Sequence, residues 1–408
     1  MASPIVVKKF GGTSVADVAR IRKVAELVFD FKKAQPSTKL VVVVSAMAGE
    51  TNRLLALGHA CAASPSPREL DALAATGEQV TTALLAITLQ ELGVRSLSLT
   101  GAQAGIQTDS HFMEARVEEV DVRRLNQVLN DNQVAIVAGF QGIEAQGDTT
   151  TLGRGGSDIT AVALAAALKA RACYIYTDVD GVYSADPRIC PQAKKLKEVS
   201  HEEMLELASV GAKVLHPRCV HFAHRFSVPL VTLSSFHPGA GTWVVSERSP
   251  MENALVTGVA SRSDEACIRL QGIPGGARAL SKIFAELGKK GIAVDLISQT
   301  PSSDDRVDVC FTTPDDKSSL AFQICDELVP ELSAVGAHID RNIAKISVVG
   351  IGIRQTTDVA QVLFDTLSTE GIEVIMSASS EIRLSVVVPR KYAELAVRVL
   401  HEKLVESK

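Results

Sequence analysis

The sequence predicts an α/β protein: a three-layer, open and mostly parallel sheet over residues 1–245, then two βαββαβ units. Three observations carry this. Up to about residue 240, short β-branched runs alternate with helical patterns, the rhythm of a sheet with helices on both faces. The strongest run, 40–44, is continuously apolar, as befits a strand buried on both sides of a parallel sheet. After Gly239-Ala-Gly241 the pattern changes and a segment repeats. Phe284-x-x-Leu287-x-x-x-Gly291-Ile-x-Val294 returns as Phe364-x-x-Leu367-x-x-x-Gly371-Ile-x-Val374, which marks a duplicated supersecondary unit.

Taken in order, a strand at 5–7 leads through a Gly-Gly turn into a helix. Its apolar positions Val18, Ile21, Val24 and Val28 step by three or four and share one face. Further strands are expected at 96–99, 134–138, 173–177 and 229–233. The first repeat reads as a complete unit: strand 267–270, helix 277–289, strands 293–297 and 307–312, helix 318–328 and strand 335–339. The second ends after a helix at 392–403, one strand short. A β-branched run at 255–260 precedes the first copy, and we infer that it crosses over to complete the second. The expected divisions are a catalytic region 1–245, a linker with the crossing strand 246–264, and the two units 265–340 and 341–408.

Composition narrows the function. Of 408 residues, 46% are apolar and 22% charged, and 42 basic against 47 acidic residues leave a net charge of −5. That argues against a global basic field for nucleic acid, and aromatics at 4% argue against base-stacking platforms. No apolar run approaches the roughly 20 residues of a membrane span, and the first residues lack the basic flank and apolar core of a secretory signal. The seven cysteines are dispersed and never spaced C-x-x-C, so reduced, buried thiols in a cytoplasmic protein are expected rather than a metal cluster or disulfide framework.

Four polar or glycine-rich turns are expected at strand ends, and a fifth polar segment follows the strand at 173–177. In Lys9-Phe-Gly-Gly-Thr-Ser-Val15, paired glycines let backbone N–H groups approach an anion, a helix start adds a positive end and Lys9 adds a full charge. It is neither a Walker loop nor G-x-G-x-x-G, and a plain tight turn with a surface lysine is the alternative. Ser45-Ala-Met-Ala-Gly-Glu-Thr51-Asn52 could hold a small polar ligand or simply cap a helix. Thr76-Gly-Glu78 could be a ligand contact or a dipole-satisfying surface acid. In Gly153-Arg154-Gly155-Gly156-Ser157-Asp158 the arginine can clamp a carboxylate in bidentate fashion, while Asp158 could be an ordinary N-cap. Thr177-Asp178-Val-Asp180-Gly181-Val-Tyr183-Ser-Ala-Asp186-Pro187-Arg188 mixes acids, an aromatic face and a cation, which suits a purine nucleotide, though its Asp-Gly and Asp-Pro pairs also punctuate turns. His216, beside Pro217, reads as an exposed loop histidine. No spacing suggests a hydrolase triad.

Together with Gly211-Ala-Lys213, these motifs, in this order, resemble those of aspartate kinases, and the repeated unit resembles their tandem ACT domains. The resemblance implies an amino-acid kinase fold followed by two ferredoxin-like ACT domains. It implies ATP-dependent phosphorylation of the aspartate β-carboxylate to 4-phospho-L-aspartate, on the way to lysine (through diaminopimelate), threonine and methionine. The β-carboxylate is itself the nucleophile and needs no general base. Lys9, Arg154 and Asp158 are the implied catalytic residues. Ser45, Thr51, Glu78, Arg154 and Asp158 are implied for substrate, Arg154 on the α-carboxylate, Glu78 and Asp158 on the ammonium. For the nucleotide the implied set is Lys9, Gly11, Gly12, Ser14, Thr177, Asp178, Tyr183, Asp186, Arg188 and Lys213, with Mg²⁺ carried by ATP and no protein metal site.

The same resemblance implies lysine and/or threonine as inhibitors, bound near Asp295, Gln299, Ser379 and Glu381. It also implies a homodimer through the ACT domains, or an α2β2 assembly with a shorter regulatory chain, and neither nucleic acid nor membrane as partner. The sequence departs from the family at Leu233, where an arginine is frequent, at Arg306-Val307 and at Gln355–Asp358. Two other readings compete: a kinase of glutamate or N-acetylglutamate, and a non-catalytic amino-acid sensor. Glu78 and the paired C-terminal units weigh against the first, and Lys9, Arg154 and Asp158 against the second.

Overall fold

The apolar run at 40–44 becomes the strand Lys39–Val44, buried along almost its whole length beside the central strand Ile5–Phe10. The computed structural model describes residues 3–212, 214–246, 256–274, 277–302, 306–353 and 357–406. The chain forms two units. One comprises Met1–Val182, Lys195–Ala208 and Lys213–Pro250. The other comprises Tyr183–Lys194, Ser209–Ala212 and Met251–Lys408.

In the first unit eight strands form one sheet. Their spatial order is Glu198–Ser200, Thr242–Val245, Leu230–Ser234, Ala172–Thr177, Ile5–Phe10, Lys39–Val44, Val134–Ala138 and Ser96–Leu99. All neighbours run parallel except Thr242–Val245 against Leu230–Ser234. Adjacent residues of a strand point to opposite faces, and Lys8 and Lys9 show what lies on each. Lys8 Nζ sits 3.7 Å from the centre of the Phe31 ring, a residue of helix Val18–Ala34. Lys9 instead pairs with Asp158 of helix Gly156–Ala167.

The Val18–Ala34 helix opens on Asp17, whose side chain accepts the Arg20 N–H at 2.8 Å, and it buries Ile21, Val24, Ala25 and Val28. Val18, expected on that face, is 51% exposed. A smaller sheet of Val117–Val120, Ile106–Thr108, Gln141–Ile143 and Thr149–Thr151 has no counterpart among the strands expected from sequence. The stretch Pro67–Glu91 is long and apolar enough to cross a membrane by composition, yet half of its most apolar window is buried inside the protein.

Lys8 is 5% exposed and has no ion-pair partner among the described residues. Burial pulls its ammonium down to about 8. Since the unfolded chain keeps a lysine near 10.4, the charged form destabilises the fold at neutral pH, and stability attributable to this group returns only as pH climbs from about 8 towards the unfolded value. Lys8→Met should therefore raise stability by roughly 2 kcal/mol at pH 7, the gain shrinking above pH 8. Chemical denaturation at the two pH values measures it, and an equal gain at both would assign the effect to packing.

The second unit holds two four-stranded antiparallel sheets. One is ordered Ile297–Pro301, Arg306–Pro314, Glu265–Pro274, Gly336–Asp340, and the other Gly258–Arg262, Ile343–Val349, Arg383–Pro389, Met376–Ser379. Gly258–Arg262, overlapping the run at 255–260, pairs with Ile343–Val349.

The repeated motif has a local cause. Gly291 and Gly371 adopt φ of 64° and 65°. The Ile292 N–H donates to the Leu287 carbonyl at 3.1 Å and the Ile372 N–H to the Leu367 carbonyl at 2.9 Å. Each repeat thus ends its first helix in the same left-handed glycine cap, with Leu and Ile buried across it. The strand expected at 293–297 begins instead at Ile297. Before it, the Asp295 N–H donates to the Thr312 carbonyl and the Thr312 N–H to the Leu296 carbonyl, both at 3.0 Å. The last expected helix divides into a turn at Arg390–Tyr392, helix Ala393–His401 and a wider π-turn at Glu402–Glu406.

Candidate active site

Phe10 is in register with both Val44 and Tyr176, so three parallel strands end level with one another. The turns beginning at Gly11, Ser45 and Thr177 consequently meet at the carboxyl edge of the sheet, where open α/β sheets take ligands. The Gly11 N–H donates to the Tyr176 carbonyl at 3.2 Å, and the Ser45 N–H to the Phe10 carbonyl at 3.1 Å. A Cβ on Gly11 would lie 3.4 Å from Lys9 Nζ, and one on Gly12 3.1 Å from the Ala46 carbonyl. Both glycines keep this edge open.

Lys9 Nζ lies 2.6 Å from Asp158 Oδ1, with the two side chains 10% and 14% exposed. Asp158 is not an N-cap. Gly155, at φ 72°, caps helix Gly156–Ala167, which frees the carboxylate to reach across to the strand. His216 packs where a Cβ on Gly155 would fall, 2.5 Å from its ring. Its Nδ1 accepts the Arg218 N–H at 3.3 Å, so it is a half-buried helix cap rather than an exposed loop residue.

Two charged residues that sequence reasoning missed brace the arginine turn. Asp71 is fully buried. It accepts the Thr151 N–H at 2.8 Å, the Thr151 hydroxyl at 2.5 Å and the Met113 N–H at 2.9 Å, while burial pushes its carboxyl up. Arg218 donates to the carbonyls of Leu152 at 2.6 Å and Ala115 at 3.2 Å. The only trace of Asp71 in the sequence is an acid between Leu70 and Ala74 on the buried side of helix Pro67–Ala74. Arg154 itself is exposed, with no ion-pair partner among the described residues.

Glu78, expected at the end of a strand, instead opens helix Thr76–Glu91 directly after helix Pro67–Ala74. A Cβ on Gly77 would lie 2.9 Å from Ala46 Cβ, so this helix start packs against the turn after Val44. The Ala46 N–H donates to Glu78 Oε1 at 3.0 Å. Oε2 is buried without a hydrogen-bond partner among the described residues, and burial pushes the carboxyl up to about 7. A buried acceptor aimed beside the strand-end turn is suited to an incoming ammonium.

The other candidates divide. Ser45 and Thr51 are half-buried, Thr51 in the first turn of helix Glu50–Cys61. The Thr177 hydroxyl donates to Asp178 at 2.9 Å. The Ser14 hydroxyl is buried and donates to Ser235 at 2.8 Å. Tyr183, Asp186 and Arg188 fall in Tyr183–Lys194, part of the second unit, where Arg188 pairs with Asp186 at 2.6 Å. Lys213, and Gln355 and Thr356 of the departures, lie outside the described residues.

Of the effector candidates, Asp295 is paired with the fully buried Lys345 and lies 3.6 Å from Arg383. Burial pushes its carboxyl up, but Lys345, Arg383 and Arg262 together outweigh it and hold it below the usual range. Gln299 and Ser379 are exposed on the edge strands Ile297–Pro301 and Met376–Ser379, and Glu381 is exposed just beyond.

The cysteines differ from expectation in two ways. Cys61 is exposed, and Cys267 touches Cys310. Cys190, His401 and Glu406 also converge in the second unit, with His401 Nδ1 3.2 Å from the Cys190 sulfur and 2.8 Å from Glu406.

The family model of the amino acid kinase family matches residues 4–233, and an ACT domain model matches 346–404. An aspartokinase of Pseudomonas aeruginosa is 46% identical, with 97% of this chain and 96% of the relative aligned. One from Helicobacter pylori is 43% identical over 97% and 98%. Among solved structures, Escherichia coli aspartokinase III in complex with aspartate and ADP superposes with a TM-score of 0.82 at 30% identity, covering 98% of this chain and 99% of that one. The same enzyme in complex with lysine and aspartate gives 0.79 at 30% identity over the same shares.

Proposed function

The chain belongs to the amino acid kinase family and is an aspartate kinase, and from that premise we propose that it phosphorylates the β-carboxylate of L-aspartate from ATP at the edge built around Lys9. The observation that carries this is the Lys9–Asp158 pair beside the Gly11-Gly12 turn, with the unsatisfied Glu78 oxygen on the neighbouring turn. A bond forms between a β-carboxylate oxygen and the γ-phosphorus while the β,γ-bridging bond breaks and ADP leaves. Such transfer depends on positioning and charge stabilisation, and the residues divide those tasks. Lys9 neutralises the migrating phosphoryl group, and Asp158, paired with it, faces the substrate ammonium as well. Arg154 takes the α-carboxylate, helped by Ser45 and Thr51, and Glu78 takes the ammonium. Gly11 and Gly12 admit the phosphates, and Thr177 and Asp178 contribute to nucleotide binding.

Mg²⁺ would arrive as an ion carried on the ATP phosphates, held largely by phosphate and water oxygens. When bound, it neutralises phosphate charge. The acyl phosphate product is 4-phospho-L-aspartate, leading towards lysine, threonine and methionine in the cytoplasm. We assign 1–245 to catalysis, 246–264 to the linker and crossing strand, and 265–340 and 341–408 to ACT units that bind lysine and/or threonine. The E. coli enzyme's complex with lysine supports lysine, and a homodimer through the ACT units is the assembly we favour.

A coupled ADP-release assay with aspartate, glutamate and N-acetylglutamate, each with and without lysine and threonine, tests the reading. Aspartate should be strongly preferred. Arg154→Ala should raise KM for aspartate roughly 10- to 100-fold, the worth of a charge-assisted contact. Preference for either other acid, or an unchanged KM, would overturn the assignment.

A further inference from the structure

We infer that Cys267 and Cys310 form a redox modification site in the first repeat, closing to an intramolecular disulfide when a small hydroperoxide reaches them. The strands Glu265–Pro274 and Arg306–Pro314 run antiparallel with Cys267 opposite Thr312 and Arg269 opposite Cys310. The two cysteines are thus diagonal neighbours on one face of the sheet, and their sulfurs are in contact at 2.6 Å. That face is turned from the helices and packs Leu296, Ile343, Met376 and Val387 around the sulfurs. At 6% and 8% exposure the pair is shielded from bulky thiol reagents, which is why the oxidant proposed is a small hydroperoxide.

The two sulfurs are not equivalent. The hydrogen bond the two thiols share and the Arg269 guanidinium, directly opposite Cys310 in register, hold the Cys310 thiol below the ordinary value despite burial, while Cys267 is pushed up. Cys173, Cys219 and Cys325, by contrast, are all pushed up by burial. Cys310 is therefore the nucleophile, the thiolate being the reactive form, and Cys267 the resolving group.

In the first step the Cys310 thiolate attacks a peroxide oxygen. The O–O bond breaks, and the departing hydroxide takes up a proton to leave as water, giving a sulfenic acid. In the second, Cys267 gives up its proton and attacks the Cys310 sulfur. The S–O bond breaks, a second water leaves and the S–S bond forms. Two thiols are oxidised and one hydrogen peroxide is reduced. The bond would fix the register of two strands in the sheet whose edge carries Gln299.

The test treats the full-length protein with hydrogen peroxide, quenches it, alkylates it after denaturation and maps the peptides. The wild-type chain should lose two alkylatable thiols, yield one linked peptide containing Cys267 and Cys310, and recover both thiols with dithiothreitol. Cys267→Ser should stop at a Cys310 sulfenic acid that a 1,3-dione traps. Cys310→Ser should leave Cys267 reduced at the same dose. Both variants are near-isosteric, and a thermal melt confirms that each is folded. Oxidation of the exposed Cys61 with Cys267 and Cys310 still alkylatable, or over-oxidation of Cys310 beside a free Cys267, would overturn the inference.

Discussion

Lys9→Ala is expected to lower kcat by roughly 10²–10³-fold, the usual cost of deleting one charge-stabilising donor, while KM for aspartate moves only a few-fold. Lys9 is 8% exposed, so its charge acts in a medium where solvent screens little. It stands at the edge of the sheet with only Asp158 for an ionic partner among the described residues. Its charge matters most where the phosphoryl group moves, and an interaction confined to the transition state appears in kcat.

The substitution has a second consequence. It leaves Asp158 largely buried and unpaired, and breaking such a pair typically costs about 3–5 kcal/mol of stability. Turnover lost through a damaged fold must therefore be separated from turnover lost through missing charge. The double variant Lys9→Ala/Asp158→Asn does this. It should regain much of the lost stability, because no orphaned carboxylate remains, yet stay as slow as Lys9→Ala. Recovery of turnover along with stability would show that Lys9 serves the fold and not the transfer.

The features legible in the amino-acid sequence are those that leave a local trace. The apolar run at Lys39–Val44, the helical stepping of Ile21, Val24 and Val28, and the Leu-x-x-x-Gly-Ile caps at Gly291 and Gly371 are each satisfied within a few residues of chain, and each matches its element. The glycines around Arg154 belong here as well, because a left-handed turn demands them. The brace beneath that turn leaves no such trace. Asp71 and Arg218 act on backbone groups distant in sequence, and their own neighbourhoods resemble ordinary helix ends. The small sheet escapes for a related reason. Ile106–Thr108, Gln141–Ile143 and Thr149–Thr151 have three residues each, too few for a period to emerge. Lys9 and Asp158 each stand out singly as candidates; that they hold each other is a fact of register between a strand and a helix.

Glu78→Gln carries the other large effect, and it should be two-sided. Glu78 is 2% exposed, with a raised carboxyl near 7 against about 4.3 in an unfolded chain. Between those values the folded state holds a proton that the unfolded state has released, so this group's contribution to stability falls as pH rises through the window. Above pH 7 the ionised, half-satisfied carboxylate costs the free enzyme roughly 3 kcal/mol. Glutamine removes that penalty, and Glu78→Gln should melt higher than the wild type at pH 8, with the difference closing towards pH 5.

The same substitution removes the anion that the substrate ammonium requires, and KM for aspartate should rise roughly 10- to 100-fold. For the wild type, KM should also climb as pH drops below about 7, while the variant stays flat across that range. Differential scanning calorimetry and initial-rate kinetics over pH 5–8 read both halves. A variant that gains stability but keeps its affinity would place the ammonium elsewhere. One that loses both would make the Ala46 N–H bond the residue's whole purpose. A site of this kind gives up stability in the empty enzyme to hold a charge that becomes satisfied when aspartate arrives, and the opposite pH trends of melting and KM are how that exchange would be seen.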